Sequence, residues 1–181
     1  MFQLPFGAQR RARRLVVDAL YEEIVAAARR PQFYSDWQVP DTPLGRFEML
    51  SLHLFLFLHR LRDEKGSLRD VAQEVTDHFF REVDHSLREL GIGDMGVPKR
   101  MKKLARMFYG RLNAYGQAVD AADEAALAEA LKRNIAPDRA VWNEAAALAA
   151  YVLGANGDLM ELSAEELLSG KLRFAPLPQE K

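Results

Sequence analysis

The sequence predicts an all-α protein, a single-domain bundle of about six to seven helices around a central apolar helix at about 43–62. Three observations carry this. Apolar residues recur at spacings of three and four, as in Leu68, Ala72, Val75, Phe79 and Val83, which is the stripe of a half-buried helix. Prolines and glycines fall between such runs, at Pro31, Gly66, the GIGDMG segment and Pro137, where they end helices and open turns. No stretch alternates apolar and polar with the two-residue period of a half-buried strand, and no internal repeat is present. A chain of 181 residues, 49% of them hydrophobic, is enough for one domain with a real core.

Three regions are expected: a basic arm and the start of helix one at 1–19, a helical domain at 20–155, and a short helix with a tail at 156–181. The first helix runs from about Arg10 to Arg29 on a stripe of Val16, Leu20, Ile24 and Ala27, and Pro31 ends it. A connector follows whose Phe33, Tyr34 and Trp37 are too concentrated to be left wet, so they are expected to plug into the domain. Thr42 reads as an N-cap with Pro43 in the first helical turn. In the helix they open, leucine and phenylalanine go all round the cylinder from Leu50 to Leu61, so other helices must surround it. A third helix from Ser67 to about Leu90 buries Leu68, Ala72, Val75, Phe79, Val83 and Leu90. Beyond Gly116, helices are expected at about Ala121–Asn134 and Asp138–Leu153, with a turn at Gly154, Asn156 and Gly157. Ser163 and Glu166 then form a capping box for a short last helix, and Phe174–Lys181 reads as a tail.

The segment GVPKRMKKLARMFYGRLNAY, Gly96–Tyr115, packs six cations and no acid into one amphipathic helix starting near Pro98. At about 100° per residue, Met101, Leu104, Ala105, Phe108, Leu112 and Tyr115 share one face. Lys99, Lys102, Lys103 and Arg106 share the opposite one, with Arg100 and Arg111 toward a flank. Cations at a helix N-terminus oppose the macrodipole, and an external anionic partner is a reason to place them there. A solvated face that keeps a docked helix soluble is the bland alternative.

With 25 basic and 26 acidic residues the chain is nearly neutral overall, so electrostatic function must come from local segregation. The absence of cysteine excludes disulfides, thiolate nucleophiles and cysteine metal sites, and fits a reducing compartment. The longest apolar run, Met49–Leu58, is about half the roughly 20 residues a membrane span needs. The start of the chain has no secretory apolar region with a cleavage site, so export is not expected.

Phosphate-binding loops, dinucleotide fingerprints and nucleophile elbows are absent from the sequence. His78, Glu82 and His85 share a helix face, a spacing that suits a metal, but the face lies off the apolar stripe and offers no converging further ligands. They read better as solvated residues. His53, inside the apolar run, needs a hydrogen-bond partner and reads as a satisfied structural residue. Catalytic residues, metal and cofactor are therefore not expected, and an enzyme is the weaker hypothesis.

Three ordered blocks carry a family resemblance: GRFEMLSLH at Gly45–His53, DHSLRELGIGDMGVPKRM at Asp84–Met101 and FYGR at Phe108–Arg111. Through them, and over roughly Leu20–Ala150, the chain resembles the ubiquinol–cytochrome c chaperone family, the assembly factors for cytochrome b of the respiratory bc1 complex. The resemblance implies an all-helical, non-enzymatic domain that binds newly made cytochrome b or other bc1 subunits near the membrane. Mitochondrial members also work with a small helical partner and the ribosome exit region. The short basic arm and alanine-rich character look like the alphaproteobacterial form, which implies a cytoplasmic protein, peripheral at the inner membrane; a eukaryotic member would lie in the mitochondrial matrix.

On this reading the partner-binding face is Lys99, Arg100, Lys102, Lys103, Arg106 and Arg111. It would meet anionic lipid, ribosomal RNA or acidic client segments, with DNA not among the partners. Apolar client contacts are sought at Phe33, Tyr34, Trp37, Met95 and Met107, with Met101 also considered and burial in the core as the alternative for each. The competing hypothesis is a helical ribosome- or RNA-binding module in which Tyr109 or Tyr115 stacks on bases. The oligomeric state is left open, since one domain of this size can itself surround the apolar second helix.

Overall fold

The computed structural model describes residues 6–177; the ends of the expected arm and tail, 1–5 and 178–181, lie outside the described residues. The arginine-rich start is helical. Helix α1 (Phe6–Ala28) begins earlier than expected, and within it Arg13 reaches across to Asp70 at 3.2 Å and Glu74 at 3.4 Å on the third long helix. Its second half buries Leu20, Ile24 and Ala27.

The connector contains a five-residue helix, α2 (Pro31–Ser35), and buries Phe33 and Trp37. Helix α3 (Pro43–Arg60) is capped by Thr42, whose hydroxyl accepts from the Gly45 amide at 3.1 Å. Gly45 is required here: a Cβ would lie 1.9 Å from the Pro40 carbonyl oxygen. From Phe47 to Phe57 every residue of α3 except Leu50 is buried. Helix α4 (Ser67–Glu89) packs on α1 and buries Val71, Val75 and Phe79, the last against Phe47 of α3. Leu90, expected in the buried stripe, is 59% exposed, since the helix ends before it and Leu87 takes the inner position.

Helix α5 (Val97–Asp120) runs on through Gly110 and Gly116, and α6 (Glu124–Ile135) follows with Asp123 as N-cap. Gly116 lies against the Phe55 and His59 rings, both 3.9 Å or less from where a Cβ would be. The next helix differs from expectation: α7 is Ala145–Met160. Residues 136–144 form an irregular strap pinned by Trp142, whose buried indole N–H donates to the Trp37 carbonyl at 3.0 Å. Gly154, Asn156 and Gly157 lie within α7 and make no turn. Burial of Leu148, Val152, Ala155 and Leu159 outweighs the cost of about 1 kcal/mol that each helical glycine carries. The expected boundary at 155/156 thus falls inside a helix.

Helix α8 (Ala164–Leu168) has the expected Ser163–Glu166 capping box. The segment after it is no loose tail as far as it is described. Leu172, Phe174 and Leu177 are buried, and the Arg30 guanidinium donates to the carbonyls of Phe174, at 2.6 Å, and Ala175. Among the described residues the fold is therefore all-α, six long helices and two short ones, with α3 touching α1, α5, α6 and α7. None of these helices is long and apolar enough to cross a membrane.

Candidate cationic interface on helix α5

Helix α5 is held by one side. Phe108 is buried in a cluster with Phe79 and Phe80, ring centres 5.3 and 5.7 Å away, and Tyr115 packs edge-to-face with Phe55 at 5.6 Å. Met101, Leu104 and Leu112 pack on the same core, and Met107 is half-buried. The docked face is the one the spacing indicates. On the other side Lys99, Arg100, Lys102, Lys103 and Arg106 are all exposed. Among the described residues none of the five has a carboxylate within the 4.0 Å of an ion pair. Elsewhere arginines are commonly paired, as Arg46 is with Asp41 and Arg62 with Asp120. The helix start has no side-chain cap and no acid in its first turn, so the macrodipole there adds to the positive potential.

Arg111 is a correction. Its side chain is 9% exposed and forms a two-pronged ion pair with Glu48 of α3, itself 1% exposed. Position 111 falls where α5 crosses α3, so its guanidinium faces inward and is unavailable to a partner. Burial pushes the Glu48 carboxyl up to about 7, against the pull of Arg111.

The apolar candidates divide. Phe33 and Trp37 are buried in a cluster with His53 and Tyr151 and present no surface to a client. Tyr34 is half-buried, its hydroxyl donating to the Ala28 carbonyl at 2.9 Å. Met95 is 96% exposed. Tyr115 is buried and cannot stack on a base, whereas Tyr109 is 57% exposed beside the cations. The exposure of Leu90 next to them could not be read from periodicity, which counts it into the stripe of α4.

His53 is completely buried and fully hydrogen-bonded. The Met49 carbonyl can only accept, so Nδ1–H donates to it at 2.8 Å and Nε2 accepts from the Tyr151 hydroxyl at 2.9 Å. Desolvation lowers its pKa to about 4 and raises that of Tyr151 to about 12, which keeps the imidazole neutral and the phenol protonated. His78 is not the solvated residue expected: it stacks on Tyr21 at 4.3 Å with Asp18 at 3.5 Å, wedged between α1 and α4. His85 is exposed beside Glu89 at 3.2 Å.

A bundle built on one buried helix, with a second helix docked by its apolar side and cationic on the other, defines the class as a single-domain all-α bundle. The model of the family described as Ubiquinol-cytochrome C chaperone matches residues 35–174, and the chain belongs to that family. The crystal structure of the Cbp3 homolog from Brucella abortus superposes with a TM-score of 0.89 at 57% identity, covering 95% of each chain. Ubiquinol-cytochrome c reductase complex assembly factor 1 of Mus musculus is 24% identical over 160 residues, 87% of this chain and 54% of its own length. The Xenopus laevis protein of that name is 23% identical over 104 residues, 58% of this chain and 52% of its own. The chain thus spans about half the length of the curated relatives it matches.

Proposed function

We propose that the protein is a non-enzymatic chaperone that binds newly synthesised cytochrome b and promotes assembly of the ubiquinol–cytochrome c reductase complex, with the outer face of α5 meeting an anionic partner. Family membership and the names of the relatives support the assembly role. The observation that carries the choice of surface is the run of five exposed cations without acidic partners, on a helix whose other side is fully engaged by the core. A cation face that served only solubility would be expected to share charge with neighbouring acids, as Arg46, Arg60 and Arg88 do.

The test is capture from solubilised membranes of the source organism, probing for newly made cytochrome b, with wild type and the Lys102→Glu/Lys103→Glu/Arg106→Glu variant side by side. All three side chains are exposed, so the variant should fold with a stability within about 1.5 kcal/mol of wild type, at about 0.5 kcal/mol for each substitution. Capture by wild type alone supports the proposal. Equal capture by both moves the client to another face, and no capture by either removes cytochrome b as the client.

A further inference from the structure

We infer that the loop between α4 and α5, together with the cations of α5, docks on the surface of an anionic phospholipid bilayer. The inference rests on reading α5 as a binding face and names what that face meets. In the loop, Met95 is 96% exposed and Leu90 59%, two large apolar side chains left in water. They are not separate from the charge. Leu90, Ile92, Met95 and Arg100 line one shallow depression. A Cβ on Gly96 would lie 3.0 Å from the Arg100 guanidinium and 3.1 Å from the Ile92 side chain, so one cation of the face is folded against the apolar loop. From there Lys99, Lys103 and Arg106 continue up the helix for about 10 Å at 1.5 Å per residue. Tyr109, 57% exposed, flanks the row, the amphipathic ring found where apolar and wet layers meet.

Asp94 in the loop and Asp84 on α4 are both engaged by Arg88, and among the described residues no carboxylate pairs with the five exposed cations of α5. The partner must then offer anions and an apolar layer a few ångström apart. A bilayer surface does so, taking Lys and Arg at its phosphates and Leu and Met at the acyl boundary. A nucleic acid has phosphates for the cations but no use for Leu90 and Met95.

Co-sedimentation of the full chain with vesicles tests this, using phosphatidylcholine alone and phosphatidylcholine with one third phosphatidylglycerol, at low and high salt. Wild type should bind only the anionic vesicles and release them as salt rises. Lys99→Gln/Lys103→Gln should bind about 25-fold more weakly, from about 1 kcal/mol per cation. Leu90→Ser/Met95→Ser, which leaves the charge alone, should bind about tenfold more weakly with an unchanged melting temperature, from the loss of partly buried apolar surface. Serine variants that bind like wild type would overturn the inference, as would an oligoribonucleotide that displaces the protein from the vesicles. The two proposals fail separately. Capture of cytochrome b without vesicle binding would remove the lipid surface and leave the chaperone; vesicle binding without capture would do the reverse.

Discussion

Replacing Arg111 by alanine tests whether this cation belongs to the core or to the interface. The guanidinium and the Glu48 carboxylate are paired at the contact of α3 and α5 with 9% and 1% of their side chains exposed. Removing one member leaves the other buried without compensation, a loss of about 3–5 kcal/mol. In a domain of this size each kcal/mol shifts the melting temperature by about 2–4 °C, so Arg111→Ala should melt roughly 10 °C lower. The deficit should depend on pH with a definite sign. The Glu48 carboxyl already has a folded pKa of about 7, above its ordinary 4.5. A group raised in the folded state contributes stability below its unfolded pKa and loses it as pH rises through the folded one. Without Arg111 the folded value rises further, so the variant should lag wild type more at pH 8 than at pH 6. Glu48→Leu/Arg111→Met, which replaces the pair by apolar side chains of similar volume, should recover most of the loss. The readout is thermal and urea denaturation followed by circular dichroism. An Arg111→Ala protein that melts like wild type but no longer binds the partners of α5 would refute the reasoning and return Arg111 to the interface.

Three further outcomes are expected. The Lys102→Glu/Lys103→Glu/Arg106→Glu variant should keep the wild-type melting temperature while losing capture; a collapsed fold would show that these side chains are structural. His53 has a folded pKa near 4 against an ordinary 6.5, so its stabilising contribution is complete above pH 6.5 and is lost as pH falls to 4. At about 1.4 kcal/mol per unit this amounts to about 3 kcal/mol, and a slope of stability against pH in that window identical in wild type and His53→Gln would assign the acid sensitivity elsewhere. Gly45→Ala places a methyl 1.9 Å from the Pro40 carbonyl, which must displace the start of α3 at a cost of at least about 2 kcal/mol; a melting temperature unchanged by this variant would mean that the Pro40 turn yields freely.

Much of the fold was legible because it follows from local rules. The Thr42–Pro43 start of α3, the capping box at Ser163 and the docked stripe of α5 involve residues three or four apart, whose geometry is set by one helical turn. Lys99, Arg100, Lys102, Lys103 and Arg106 face outward for the same reason. Where expectation and structure part, a distant residue intervenes. Glycines at 154 and 157 read as a turn, yet burial against α3 and α6 carries α7 through them. Phe174–Lys181 reads as a tail, yet Arg30, more than a hundred positions earlier, holds the backbone of Phe174 and Ala175.

By itself, then, the sequence determined an all-α chain, its central apolar helix and the one-sided charge of α5, since each depends on periodicity along a single element. Only the tertiary structure decided that Arg111 turns inward to Glu48 while its five neighbours stay free, that Phe33 packs edge-on against His53, and that Leu90 and Met95 project beside the cations. The physical reason is the same in each case. A helical wheel tells which residues share a face, but whether a flank position meets another helix or water depends on where that helix crosses, and crossing points are set by the packing of the whole bundle.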